Sequence, residues 1–298
     1  MRRLIHQNLR QLKNRWGVRH CATWVLPGLL VLATPVIPVA EAVVQQSPEA
    51  RHAEANQLLQ QGKAQLNAGQ FQAALAHFLP ALEIYQEVGD LRSQGITLGD
   101  LGLVYHNLGQ HQQAIQLYEL AIAIAQEIGN RRNEGAVLGN LGHAYEALGQ
   151  HQRAIALYEQ QLAIVREVGY RHGESYALGN LGIAYSNLGE NQQAINAYQQ
   201  ALAIAQETGD RPGEGALLSN IGALLSEEQP EQAIAALQQS VAVREAIRQR
   251  LRDLSPAQQQ AFLNSVSDTY LALAALLEQE GQDEEAQRIL DLLGRGNE

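Results

Sequence analysis

The sequence predicts an all-α solenoid of about six helix-turn-helix repeats. Three observations indicate this fold. The chain is similar to itself every 40 residues, because DLGLVYHNLGQHQQ at 100–113 returns as NLGHAYEALGQHQR at 140–153 and NLGIAYSNLGENQQ at 180–193. Within each copy, apolar residues recur at spacings of three and four, the period of one helix face. Each helical segment also runs into a glycine, the residue that most readily ends a helix.

Each copy predicts two helices that pack closely. In the second copy Leu98, Leu101, Gly102 and Tyr105 share one face of the first helix, and the same residues recur 40 and 80 positions later. The second helix then places Ala114 and Tyr118 inward (the pair recurs as 154/158 and 194/198), and small residues on facing sides let helices approach. The predicted units are about 51–90, 91–130, 131–170, 171–210, 211–253 and 255–294, followed by a tail at 295–298.

The last two units depart from this pattern. The fifth loses one residue in its turn, so that Ala233 stands one position early, and the sixth keeps only the core spacing. Ser255 and Pro256 are typical of a helix start, as N-cap and first helical residue. In the first unit, Pro80 is expected to remove one helical hydrogen bond and to bend its helix.

Residues 1–42 are predicted to be a signal peptide. A basic stretch without acids precedes the almost wholly apolar residues 21–39, and Ala40 and Ala42 are the small residues that a signal peptidase reads. The alternative is an uncleaved membrane anchor, which Pro27, Pro35 and Pro38 disfavour. Residues 43–50 are predicted as a linker. Either reading places the repeats outside the cytoplasm, periplasmic or secreted, and cleavage would leave them without a membrane attachment.

Charge and cysteine content exclude several classes of function. The net charge is -10, and the leader holds six of the 21 basic residues but one of the 31 acids, which leaves about -15 for the remainder. Such an acidic surface disfavours nucleic acid. The only cysteine is Cys21, so no disulfide or thiolate metal site is expected beyond the leader.

The repeat residues resemble the tetratricopeptide repeat, whose signature is a large residue, leucine, glycine and tyrosine in the first helix, and alanine, aromatic and alanine in the second. The resemblance covers about residues 51–294 and implies a right-handed superhelical solenoid. Leucine replaces the usual tryptophan at the first core position, and the period is 40 where about 34 is usual. This longer form is similar to repeats of kinesin light chains, of spindle-orienting polarity adaptors and of bacterial signalling proteins, which bind peptides.

Residues 261–293 carry a narrower resemblance, to the segment that joins such repeats to a caspase-like CHAT protease domain in exported cyanobacterial proteins. That domain needs a histidine and a cysteine in a further αβ domain, and no cysteine follows the leader. The resemblance therefore implies an alternative function, in which the chain is the sensor or recognition segment of a CHAT protease system, either truncated or acting on a separate protease.

No residue pattern predicts catalysis, a metal or a cofactor. The histidines form no His-Glu-x-x-His motif, and His106 and His111 are separated by a helix break. The glycines lie inside helices at packing distances, unlike a phosphate-binding loop. Glu134, Glu174 and Glu214 recur at one place per repeat, so we expect them to have a structural role.

A ladder of polar residues is the candidate binding site. Asp100, Asn140, Asn180 and Asn220 each precede a core leucine or isoleucine, although asparagine is a mediocre helix former. An amide there can both donate to and accept from a peptide backbone, and the resemblance implies the same use. The alternative is hydrogen bonding between neighbouring repeats. The residues one and two turns further along that face complete the candidate groove: Leu103, His143, Ile183, Asn107 and Asn187.

These positions contain no lysine or arginine, which argues against recognition by a carboxylate clamp. The sequence therefore predicts a non-catalytic scaffold or adaptor that binds a protein or peptide in a concave groove. The degenerate end units suggest caps and hence a monomer.

Overall fold

The computed structural model describes residues 47–294, so the predicted leader and the tail at 295–298 lie outside the described residues. Within this range the chain forms twelve α-helices and no strand. Their bounds are α1 Pro48–Asn67, α2 Phe71–Val88, α3 Leu91–Asn107, α4 His111–Glu127, α5 Arg131–Glu146, α6 His151–Glu167, α7 Arg171–Asn187, α8 Asn191–Thr208, α9 Arg211–Leu225, α10 Pro230–Arg250, α11 Pro256–Gln279 and α12 Asp283–Gly294. None of these twelve has the length and apolar character needed to cross a membrane.

Consecutive helices pack as antiparallel pairs, one pair for each predicted unit. The first helix begins earlier than expected, at Pro48, inside the segment 43–50 that the sequence predicts as a linker. The cause is local, because the Ser47 side chain accepts a hydrogen bond from the Ala50 amide and proline suits the first helical turn. Helix α2 runs without interruption through Pro80.

The stack is curved toward its first helices. Each second helix packs on the first helix of the next unit, and the first helices of neighbouring units also approach each other, α1 with α3 and α3 with α5. In a stack of helix pairs, the helices that meet across units lie on the inner side of the curve. The concave surface is therefore lined by α1, α3, α5, α7 and α9.

A glycine and a tyrosine fix the distance between the two helices of a pair. Tyr118 and Tyr158 are almost completely buried, and each ring lies against the glycine of the preceding helix, Gly102 or Gly142. A side chain at either glycine would overlap the ring, since even a Cβ would meet its Cε1 atom. The sequence predicts an alanine against this glycine with the aromatic beside it, whereas in the structure the tyrosine ring itself covers the glycine.

The turns repeat as regularly as the helices. Glycines with positive φ, between 66° and 77°, stand every 20 residues from Gly69 to Gly209. In this left-handed conformation a residue with a side chain is strained, so glycine is required at the ends of helices α1 to α8.

Buried glutamates connect neighbouring units. Glu134, Glu174 and Glu214 are 4–8% exposed, and each pairs with the arginine three residues earlier in its helix. Each glutamate also accepts a hydrogen bond from the second helix of the preceding unit, donated by Gln126, Arg166 and Gln206 respectively. The structural role expected of the three glutamates is confirmed, because their bonds join helices of successive units.

Candidate functional site

The main candidate site is a pocket of about 400 Å³ on the concave surface, between α5 and α7. Helix α6 and the turn after it form its floor. The lining residues are Arg132, Ala136, Gly139, Asn140, His143, Gln161, Ile164, Val165, Val168, Tyr170, Gly173, Tyr176 and Asn180. A volume of this size is typical of sites that enclose a small ligand or a few atoms of a larger one.

Three of the sequence-predicted residues meet in this pocket. Nε2 of His143 lies 3.4 Å from Nδ2 of Asn180, and Nδ1 of His143 lies 3.2 Å from the Tyr158 hydroxyl. Asn140 is on the same face of α5, one turn before His143. Desolvation of the His143 ring lowers its pKa, an effect that Glu146 partly offsets. The imidazole is therefore neutral at pH 7, able to donate at one nitrogen and accept at the other.

The remaining predicted residues lie outside the pocket. Asp100 and Leu103 are half-buried in α3, where Oδ2 of Asp100 lies 3.5 Å from Nζ of Lys63. Burial raises the pKa of Asp100, and Lys63 opposes that rise. The neighbouring first helices α1 and α3 are thus joined by this ion pair.

Four others lie at the ends of helices or in α9. Asn107 donates to the Leu103 carbonyl oxygen of its own helix at 2.8 Å, and Asn187 donates to Glu146 of the previous unit at 2.9 Å. Ile183 is 43% exposed. Burial raises the pKa of Tyr198 to about 12, and a hydrogen bond with Asn220 works against that rise. Several members of the polar ladder therefore do bond between units.

Gln161 is a site residue that the sequence reasoning missed. Its side chain is 9% exposed and its Oε1 atom is buried without a hydrogen-bond partner. A buried carbonyl oxygen without a donor costs about 1–3 kcal/mol. The repeat alignment contained the signal, because the same place holds Ala81, Ala121 and Ala201 in other units.

Tyr170 and Tyr176 were missed for the same reason. Tyr170 occupies the N-cap position of α7, where Asp90, Asn130 and Asp210 in other units accept a hydrogen bond from their own helix. Tyr170 forms no such cap, and its ring instead enters the pocket lining. Tyr176, one turn into α7, is 63% exposed.

Arg132 corrects the expectation that the groove contains no cation. Its guanidinium carbon lies 5.2 Å from the centre of the Tyr170 ring, a cation-π distance, at the rim of the pocket. The sequence reasoning considered only the ladder positions, whereas Arg132 comes from the first turn of α5. The pocket rim therefore carries a cation that suits an acidic ligand.

The residues described at 47–294 contain no group of three or more histidine, cysteine or acidic side chains placed to hold a metal ion. His106 and His111 do meet across the helix break, with their Nδ1 atoms 3.3 Å apart. The polar groups of the pocket lining are three amides, one neutral imidazole, two tyrosine hydroxyls and the Arg132 guanidinium, all of which suit hydrogen bonding.

A family model described as tetratricopeptide repeat matches residues 54–127, 133–207 and 176–246. A search of curated proteins found no match.

Solved structures share the fold at low identity. A putative kinesin light chain of Podospora anserina with nearly identical TPR-like repeats is 22% identical, over 67% of this chain and 98% of that chain, with a TM-score of 0.57. BtubC (BKLC) from P. vanneervenii is 20% identical, over 85% and 91%, with a TM-score of 0.53. A STAND protein of Pyrococcus horikoshii with a tetratricopeptide repeat sensor is 16% identical, over 82% of this chain but 36% of that one, with a TM-score of 0.65.

Proposed function

This chain belongs to the tetratricopeptide repeat family, and we propose that it is a non-catalytic scaffold or adaptor that binds a segment of a partner protein in the concave pocket between α5 and α7. The observation that carries the proposal is the position of the residues that break the repeat pattern. Gln161, Tyr170 and Tyr176 replace the residues found at the same places in other units, and all three line this pocket.

Stability does not account for these replacements. A glutamine with an orphaned acceptor is less favourable in a helix interface than alanine. A tyrosine at an N-cap forgoes a side-chain bond worth about 1 kcal/mol. A large aromatic ring at 63% exposure loses the benefit of burial. Each replacement becomes favourable when a ligand covers the pocket.

The chemistry of the pocket suits a polypeptide segment. Ile164, Val165, Val168 and Tyr176 supply apolar surface for a side chain. The amides of Gln161, Asn140 and Asn180 are placed for backbone N-H and C=O groups, which need both donors and acceptors. In particular, rotation of the Gln161 carboxamide toward the pocket would bring Oε1, which is buried and has no partner in the described residues, to a ligand N-H.

The test is affinity capture from the exported fraction, with partners quantified by mass spectrometry and the strongest one then measured by calorimetry. We expect the wild type to retain a partner that Gln161→Ala and Tyr176→Ala bind at least about tenfold more weakly, since each loses about 1.4 kcal/mol or more. Gln200→Ala is the control, because Gln200 is exposed on α8 and outside the pocket. A partner that all four proteins bind equally would contradict the proposal.

The second candidate is the sensor segment of a CHAT protease system. Its support is the resemblance of residues 261–293, which form most of α11 and α12. A gene for a CHAT protease next to this one, and cleavage activity that depends on adding this chain, would favour it. Capture of a partner that is neither a protease nor a protease substrate would contradict it.

Export, the monomeric state and the lack of nucleic-acid binding are part of the same proposal. Mass spectrometry of the mature protein should find an N-terminus at residue 43, and light scattering should give the mass of one chain. Retention of residues 1–42 would favour the membrane anchor instead. The acidic composition supports the expectation that DNA and RNA do not bind.

A further inference from the structure

We use junction for the place where the first helices of two successive units flank the second helix between them. The floor of the concave groove is small and apolar at the junction between α7 and α9 and polar at the junction between α9 and α11. At each junction the floor contains one residue of a first helix, two of the second helix and one of the next first helix. Between α7 and α9 these are Gly179, Ala201, Ala205 and Leu217. Between α9 and α11 the equivalent residues are Ser219, Ser240, Arg244 and Thr269.

The four polar residues form one hydrogen-bonded cluster. Oγ of Ser219 lies 2.9 Å from both the Ser240 and the Thr269 hydroxyl oxygens. Arg244 donates from Nε to Ser240 at 3.1 Å and from Nη2 to Ser219 at 3.1 Å. The Ser240 hydroxyl donates to the Gly215 carbonyl oxygen at 2.7 Å. The cluster therefore holds the guanidinium in one place and leaves Nη1 without a described partner.

Arg244 has no acidic partner. In the described part of the chain, Arg131, Arg171 and Arg211 each pair with a carboxylate, whereas Arg244 bonds only to hydroxyl and carbonyl oxygens. The nearest acid in sequence, Glu245, is engaged by Arg248 and by the Tyr270 hydroxyl. The half-buried side chain thus holds a positive charge that no anion neutralises directly.

Packing does not require this charge. The three junctions immediately before it stack with apolar residues at the position of Arg244, namely Ala125, Val165 and Ala205. Placing an unpaired cation in a half-buried position costs more than an aliphatic side chain does. Val165 is the residue of α6 equivalent to Arg244, and it lines the pocket described above. This position of the second helices therefore faces the groove.

We propose that the junction between α9 and α11 is an anion subsite of the groove, in which the fixed guanidinium of Arg244 binds a carboxylate of the partner protein. The identity of the partner rests on the proposed function, whereas the anion chemistry of the subsite does not. Arginine suits this role because its fork of N-H groups matches a carboxylate, and the hydroxyl cluster orients it before the ligand arrives.

Acetate is the probe for the first test. Nuclear magnetic resonance of the arginine Nε-H groups is recorded on the full-length protein while acetate replaces chloride at constant ionic strength. We expect the Arg244 signal to shift and saturate, while the signal of Arg250, exposed on the same helix, changes little. A linear shift of both signals, or no shift of Arg244, would overturn the subsite.

The second test separates binding from folding. Arg244→Val copies the residue that α6 has at this place, so we expect an unchanged or higher Tm and no saturable acetate binding at the cluster. The captured partner should bind this variant about tenfold more weakly than the wild type. It should bind the control variant Arg250→Gln with the affinity of the wild type. If Arg244→Val fails to fold and the Arg244 signal of the wild type does not shift with acetate, the arginine has a structural role only.

The outcomes distinguish this subsite from the proposed function. If acetate fails to bind but Gln161→Ala still loses the partner, the anion subsite is wrong and the pocket stands. If acetate binds but every pocket variant keeps its partner, partner binding in the pocket is wrong and anion binding at Arg244 is supported.

Discussion

The carboxamide of Gln161 occupies the space that a side chain at Gly139 would need: a Cβ added to Gly139 would lie 2.5 Å from Nε2 of Gln161. Within this unit, the absence of a side chain at Gly139 on α5 therefore leaves room for the Gln161 amide on α6. The equivalent pair one unit later, Gly179 and Ala201, leaves room, since the nearest atom to an added Cβ at Gly179 is a Leu217 carbon at 3.8 Å.

The first prediction compares these two glycines. Gly139→Ala should lower the free energy of unfolding by about 1 kcal/mol, the low end of overpacking costs, because the overlapping atoms are the end of the flexible Gln161 side chain. Gly179→Ala should raise it by up to about 1 kcal/mol, since alanine is the better helix former and has space. Urea denaturation measures both. Adding Gln161→Ala to Gly139→Ala should restore stability, and a failure to do so would show that the overlap is not the cause.

The second prediction concerns Glu174, which is 8% exposed and accepts hydrogen bonds from Arg166 and Arg171. Glu174→Gln should lower the free energy of unfolding by about 1–2 kcal/mol at pH 7. The value is modest because both arginines are largely exposed. Glu159→Gln, at an exposed position of α6, is the control and should change stability little.

The same glutamate makes stability depend on acid. Burial raises the pKa of Glu174, but bonds and charges from Arg166 and Arg171 outweigh it, and the pKa lies below its ordinary value. A lowered folded-state pKa adds stability above the unfolded-state value of about 4.5, and this stability is lost as the pH falls through the lower folded value. The free energy of unfolding, measured by denaturation between pH 3 and 7, should therefore change less steeply with pH for Glu174→Gln than for the wild type. Equal slopes would contradict the assigned ion pairs.

The third prediction concerns His143, whose pKa desolvation lowers from its ordinary value of 6.5. Because the unfolded chain takes up the proton first, stability from this residue is present above pH 6.5 and is lost as the pH falls through the folded-state value. Proton resonances of the ring should titrate below pH 6.5, and partner binding should weaken over the same interval. Titration at or above 6.5 would contradict the desolvated position of the His143 ring.

The fourth prediction restores a missing helix cap. Tyr170→Asp gives α7 the residue that caps α3 and α9, and the gain of about 1 kcal/mol should roughly offset the lost contacts of the ring with Gly173 and Arg132. Stability should thus change by less than about 1 kcal/mol while partner affinity falls. Asn130→Asp, which exchanges one capping residue for another, is the control. Full affinity in Tyr170→Asp would remove the tyrosine from the binding surface.

The repeating part of the molecule was predictable because its causes are local. The spacing of leucines, the glycine that faces Tyr118 or Tyr158 and the glycine in each turn determine helix, packing and turn within one unit. The start of α1 was placed too late, because a cap at Ser47 and a proline can extend a helix beyond the repeat signature.

The pocket was only partly predictable because the repeat rule describes what the units share. Asn140, His143 and Asn180 follow from the ladder, but Gln161, Tyr170 and Tyr176 are visible only as departures from it. Arg132 and Tyr170 are 38 positions apart in sequence, and only the stacking of units brings their side chains together. Arg244 and the three hydroxyl residues around it likewise come from three different helices.

The regular glycines also make the length of the solenoid adjustable. Gly89 and Gly129 have the same backbone conformation and are followed by Asp90 and Asn130, both of which cap the next helix. Removal of residues 91–130 would connect Asp90 to Arg131 through a junction of the kind that the chain already uses. Gain or loss of one 40-residue module therefore changes the length of the solenoid while the pocket between α5 and α7 stays intact. Related chains can diverge in length by this route without any change in the residues that line the pocket.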